Sequence, residues 1–204
     1  MSPPKDGAFS ELDDSWSFDK ASRSYMSQTH PHRNDQRLVF PEPFGDGTLT
    51  GEIIWHESLE LETGGFPRVA TFIFRYRDPQ NYYYAGTGSF GAKFCIGKRV
   101  DGKSQNIRSV GSSNTIEKDR PYRIKVTAEG SRITLRESEV IHITVNDEAF
   151  QAGQWGLGTW RTKAEFRDPM SNTVKPRCFL IMPFGKEFDF VLRAPKTTPP
   201  NGVL

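Results

Sequence analysis

The sequence predicts an all-β chain folded as a two-sheet antiparallel jelly-roll sandwich, and three observations carry that prediction. Apolar residues alternate with period two in run after run. Turn-forming Gly, Asp and Pro separate the runs. No stretch keeps an apolar i, i+3, i+4 spacing long enough for a helix. Strands that each bury one face, and whose edges must not stay open, close on themselves or stack on a second sheet. No repeat of fixed period points instead to a propeller or solenoid.

Taken in order, residues 1–15 are polar and carry two prolines, which predicts a loose lead-in, with order from Trp16. In Val69–Tyr76, one face holds Ala70, Phe72, Phe74 and Tyr76, and the other Val69, Thr71, Ile73 and Arg75. Phe90, Ala92, Phe94 and Ile96 repeat the alternation against Gly91, Lys93, Cys95 and Gly97. Tyr122, Ile124 and Val126 do so against Arg123, Lys125 and Thr127, Ile133 and Leu135 point inward, and Ile141, Ile143 and Val145 alternate with Val140, His142 and Thr144. Asp46-Gly47, Gly64-Gly65, Asp78-Pro79, Asp101-Gly102 and Glu129-Gly130-Ser131 supply turns between these runs. The sandwich is expected over 16–169, its last strand ending between Phe166 and Pro169.

Composition narrows the function. The chain has 204 residues, 27 basic and 25 acidic, for a net charge of +2. The basic residues form no dense cluster, so neither nucleic acid nor an anionic membrane is an expected partner. No secretory leader and no run of about 18 apolar residues is present, so the expected location is cytoplasmic. Cys95 and Cys178 lack metal-site spacing and are read as free thiols.

Several segments resemble a known superfamily. Gly47–Ile54, Ile73–Tyr84 with its Arg-Tyr-Arg-Asp-Pro-Gln-Asn-Tyr-Tyr, Arg120–Leu135, and Gly153–Gly158 with Phe166 follow the order of features in the concanavalin A-like/laminin-G superfamily, near the relatives known as 3-keto-disaccharide hydrolases. The resemblance covers about 150 residues and implies the jelly roll. Such a superfold hosts many functions. A second resemblance lies at 170–204, where Lys175-Pro-Arg-Cys-Phe-Leu-Ile-Met-Pro-Phe-Gly-Lys-Glu-Phe-Asp189 is similar to the opening of Toll/interleukin-receptor-like and nucleoside deoxyribosyltransferase-like domains. The proline-rich sequence after Val191 cannot continue a helix. This predicts a truncated or frameshifted fusion whose α/β half is begun and not completed.

Candidate site residues follow from face and chemistry. Arg75, Lys93, Arg123, Lys125 and His142 recur opposite the apolar stripe, and their donors suit sugar hydroxyls or an acidic group. An ordinary solvated sheet face is the alternative. Tyr82, Tyr83 and Tyr84, with Trp55 and Trp160, offer platforms for stacking on sugar rings, although parity lets only one side of the trio line a site. Tyr83 joins the five cations in the predicted ligand set. Trp155 and Leu157 read as packing.

Catalytic signals are missing from the residues. The Glu-x-Asp-x-x-Glu signature of laminarinase-like glucanases does not occur: Glu187-Phe-Asp189 lies outside the sandwich and Leu192 stands at the last Glu position. Glu57, Glu60 and Glu62 read as a solvated loop edge. The histidines His30, His32, His56 and His142 accompany no Gly-x-Ser-x-Gly elbow, and His30-Pro-His32 lacks a third ligand. No cofactor is predicted, and no acidic loop orders oxygens for calcium. The first expectation is a recognition module for carbohydrate or a similar polar ligand, joined to a nucleotide-active effector. A glycoside hydrolase and a structural or oligomerising domain are the alternatives.

Overall fold

The computed structural model describes residues 15–29, 34–62, 65 and 67–174. Lys175–Asp189 with its second resemblance, Cys178, and also His30-Pro-His32 lie outside the described residues.

The strands are β1 (Trp16–Asp19), β2 (Ser24–Ser27), β3 (Asp35–Phe44), β4 (Gly47–Ser58), β5 (Val69–Asp78), β6 (Asn81–Thr87), β7 (Phe94–Val100), β8 (Lys103–Val110), β9 (Pro121–Glu129), β10 (Arg132–Glu137), β11 (Val140–Asn146), β12 (Gly153–Trp160) and β13 (Thr162–Thr173). They form two antiparallel sheets, ordered β1-β2-β13-β4-β9-β10-β11 and β3-β12-β5-β6-β7-β8. The fold is the predicted jelly-roll sandwich. Among the described residues helix is confined to two 3-10 turns, Ser89–Gly91 and Ser113–Thr115.

The period-two pattern places the core between the sheets. From β4, β9, β10 and β13 come Leu49, Ile53, Ile124, Val126, Leu135 and Phe166, and from β3, β5, β7 and β12 come Phe40, Phe72, Phe74, Ile96, Trp155 and Leu157, all buried. Burying side chains of this size contributes roughly 1.5–3 kcal/mol each. Trp155 stacks on Phe40 with ring centroids 4.2 Å apart, which accounts for the Trp155–Leu157 face as packing.

Three details depart from the sequence expectation. The last strand does not stop by Pro169. A bulge between Arg167 and Met170 absorbs the proline, and pairing with β4 resumes to Thr173↔Gly47. Phe90 is in no strand but in the turn before β7, with φ 55. The third departure is a bulge in β5. Pairing with β6 runs in register to Phe74↔Tyr83 and then skips to Asp78↔Asn81, with Arg75 at φ 50. The extra residue reverses parity, turning Arg75 into the protein and moving Tyr76 to the outer face beside Ile73.

Candidate functional site

The six predicted ligand residues do not meet. Arg75 is 1% exposed and its guanidinium is spent on the fold: Nε donates to Gly45 O at 3.1 Å, Nη1 to Phe150 O at 2.9 Å, and Nη2 to Gly130 O at 2.8 Å and Asp46 Oδ1 at 2.9 Å. It ties together the β3–β4, β9–β10 and β11–β12 connections and faces no solvent. Tyr83 is buried because its partner in the ladder, Phe74, is a core residue. Its ring stacks on Phe74 at 5.4 Å, and its hydroxyl donates to Asp147, which Lys98 holds at 2.6 Å. Burial first, and then the bond to Asp147, push the Tyr83 hydroxyl up to about 12.

Arg123 and Lys125 alternate with core residues of β9 and point off the outer face of the seven-stranded sheet, where Arg123 Nε meets Glu52 at 3.0 Å. Lys93 and His142 share a rim instead. Lys93 Nζ lies 5.3 Å above both the Phe94 and Tyr122 rings, and the His142 ring packs 4.3 Å from Phe94. The common-face expectation fails for two reasons. The β5 bulge removes Arg75 from it, and β5, β7, β9 and β11 belong to different sheets whose outer faces point apart. Of the acidic trio, Glu57 pairs with Lys163 at 3.4 Å, and none of the three lines the cleft on the six-stranded sheet.

A different constellation assembles on the outer face of the six-stranded sheet. This sheet curls strongly enough that Asp35 on β3 and Arg99 on β7, separated by β12, β5 and β6, meet at 2.8 Å. The curl encloses a cleft of about 660 Å³ lined by Asn34, Asp35, Thr71, Ile73, Tyr82, Tyr84, Ser89, Phe90, Arg99, Ser104, Gly158 and Trp160, among others. A small apolar cluster of Ile73, Tyr82, Tyr84 and Cys95 supports its floor. The Tyr84 ring lies over Gly97, where a Cβ would come within 2.5 Å of it, so this glycine makes room for the floor. At Gly158 a Cβ would crowd Ile73 at 2.9 Å.

Two aromatics stand at the mouth. Trp160 is 37% exposed and Phe90 is 51% exposed. Phe90 is held at φ 55, ψ 30, a left-handed backbone that is uncommon for a bulky side chain, between Gly88 at φ 81 and Gly91 at φ 70. The turn thus offers an aromatic to solvent at a conformational cost.

The polar groups converge from three strands. Asp35 Oδ2 accepts from Arg99 and lies 3.6 Å from Arg37 Nη1. Arg37 Nη1 also donates to Tyr82 Oη at 3.3 Å and to Pro79 O at 2.7 Å. Burial holds the Tyr84 hydroxyl far above its ordinary range, so it is a neutral donor. Among the described residues no group of three metal-ligating side chains occurs. Nor is any helix there long and apolar enough to cross a membrane, which leaves strand-built membrane proteins unaddressed. Cys95 is a free, buried thiol, and burial pushes it up to about 11.

No family model matches the chain, and no curated protein does. Solved structures do. The carbohydrate binding module CBM66 from Bacillus subtilis superposes with a TM-score of 0.65 at 21% identity, over 78% of this chain and 91% of that one. A β-glucanase from Bacillus licheniformis follows at TM-score 0.56 and 10% identity, over 79% and 83% of the two chains. A Bacillus subtilis protein with a galectin-like fold gives 0.53 at 13% identity, over 78% and 86%. What they share is the fold. The likeness agrees with the jelly-roll fold read from the sequence.

The sequence offers Trp160, Tyr82 and Tyr84 as platforms, yet none of the three is in the predicted ligand set, which takes Tyr83 instead. Pairing of Tyr83 with the apolar stripe residue Phe74 is the signal that separates them. Asp35, Phe90 and Arg99 had no such signal, since they meet only through the curl of the sheet and a strained turn.

Proposed function

We propose that this domain is a recognition module that binds carbohydrate in the cleft on the outer face of the six-stranded sheet. The observation that carries the reading is the cleft itself: exposed Trp160 and Phe90 beside a glycine-relieved floor, with hydroxyl, carboxylate and guanidinium groups turned inward. Aromatic faces stack on the C–H faces of sugar rings, and a few convergent polar groups fix orientation. The names of the structural neighbours, a carbohydrate binding module and a glucanase, lend support to a saccharide ligand.

Binding is favoured over hydrolysis by the acid count. Glycoside cleavage ordinarily uses two carboxyl groups about 5–10 Å apart. Asp35 is the one carboxylate among the described residues lining the cleft, and it is committed to Arg99. The likeness of Lys175–Asp189 to nucleotide-active domains supports an extension of the reading, in which the sandwich senses for an effector. Sequencing the locus downstream for an α/β continuation tests that part.

The central test is a glycan array and calorimetry on the purified chain beside Trp160→Ala and Phe90→Ala. Glycan retention by the parent, lost in both variants with far-UV circular dichroism unchanged, is the expected result. Retention that is indifferent to both substitutions places the ligand elsewhere.

A further inference from the structure

Asp35 and Arg99 are the charged residues lining the cleft, and their bond reaches across it rather than along one strand. Both guanidinium contacts of Asp35, from Arg99 at 2.8 Å and Arg37 at 3.6 Å, fall on Oδ2. Oδ1 has no partner among the described residues, and the side chain remains 32% exposed. The two guanidinium groups beside it fix the side chain in orientation, which makes Oδ1 a pre-aimed acceptor.

Beside it stands a matching donor. Tyr82 Oη accepts from Arg37, and its own proton has no acceptor among the described residues. One cleft therefore offers an unused acceptor and an unused donor, while Asp35 and Arg99, the charged residues lining it, cancel to zero net charge.

We infer that the cleft selects a neutral sugar by a pair of adjacent hydroxyls, one donating to Asp35 Oδ1 and its neighbour accepting from Tyr82 Oη. A hydroxyl is both donor and acceptor, so two vicinal hydroxyls satisfy this array simultaneously. A uronic acid keeps a ring diol but adds a carboxylate, which is desolvated in a cleft whose one lining cation is already bonded to Asp35. The inference rests on the recognition reading and adds to it a ligand class: neutral saccharides with a free vicinal diol, over uronic acids and over sugars whose diol is methylated or deoxygenated.

The experiment uses the full chain, with D-glucose, D-galactose and D-mannose oligosaccharides, their uronic acid counterparts, and mono-deoxy and O-methyl forms of whichever neutral sugar binds. Parent, Asp35→Asn, Tyr82→Phe and Trp160→Ala are compared by calorimetry, with thermal unfolding to establish that each is folded. Losing one charge-assisted hydrogen bond corresponds to at least about a tenfold weaker Kd. Neutral binding at least about tenfold tighter than uronic binding, with a similar loss in Asp35→Asn and on removal of one hydroxyl, supports the inference. Should the uronic acid bind equally well, or Asp35→Asn stay within about twofold of the parent while Trp160→Ala abolishes binding, the diol inference falls and the recognition reading stands. A folded parent that retains neither class overturns both. Tyr82→Phe keeps the ring, so a lost contact there reports the hydroxyl rather than the floor.

Discussion

Replacing Arg75 by Met separates a structural role from a ligand role, because the substitution keeps an unbranched apolar stem while deleting every hydrogen bond. The side chain is 1% exposed and makes three bonds to backbone carbonyls and one to Asp46. They are not of equal worth. Asp46 and Gly130 are exposed, so water replaces those two bonds at a cost of about 0.5–1 kcal/mol each. Phe150 is buried, and its carbonyl is left without the guanidinium at about 1–3 kcal/mol. Gly45 is half-buried and falls between. The sum is about 3–6 kcal/mol, overlapping the 3–5 kcal/mol range for breaking a buried charged contact. Urea unfolding monitored by tryptophan fluorescence measures it, and glycan affinity at a temperature where the variant is folded is expected to stay within about twofold of the parent. A stability loss under about 1 kcal/mol, or a selective loss of affinity at full stability, would refute the assignment of Arg75 as a clamp.

The two tryptophans of β12 make a contrasting pair. Trp155→Ala opens a cavity in the core and is expected to cost about 3–5 kcal/mol in denaturant titration, whereas Trp160→Ala, on the exposed cleft wall, is expected to change stability by under about 1 kcal/mol. Gly97→Ala drives a methyl into the Tyr84 ring and is expected to weaken glycan binding with a stability loss of about 1–3 kcal/mol, read by calorimetry and thermal melting on one sample. Acid sensitivity should trace to Asp147. Burial opposes its ionisation, but hydrogen bonds from Lys98 and Tyr83 outweigh that and lower its pKa in the fold, so its contribution is present above the unfolded value near 4 and is lost as pH falls through the folded one. Asp147→Asn is therefore expected to flatten the melting temperature below about pH 4. The same logic runs oppositely for Tyr83, whose hydroxyl is raised to about 12: stability it supports is intact below the unfolded value near 10 and declines as pH climbs from there toward 12, a decline that Tyr83→Phe removes.

The sandwich was legible because alternation is a local property. Tyr122, Ile124 and Val126 declare their face without knowledge of the partner strand, and all three are buried as the pattern requires. The site was not legible in the same way. Which alternating face of a strand is polar can be read off the sequence, but which sheet that strand joins cannot, so Arg123 and Lys125 were grouped with Arg75 although β5 and β9 lie in opposite sheets. Asp35 and Arg99 are 64 positions apart and three strands removed, and no spacing rule joins them.

The bulge at Arg75 shows how a single residue redirects such a reading. Without it, parity would carry Arg75 outward with Ile73 and leave Tyr76 in the core. With it, the arginine becomes a fastener for three connections, and Tyr76 packs 5.6 Å from Tyr82 on the cleft face. That move strengthens the floor on which Tyr82 stands, and Tyr82 in turn presents the hydroxyl nearest the Asp35 system. The bulge thus withdraws into the fold the guanidinium that the alternation pointed outward, and the same backbone irregularity sets the Tyr76 ring against Tyr82 on the cleft face.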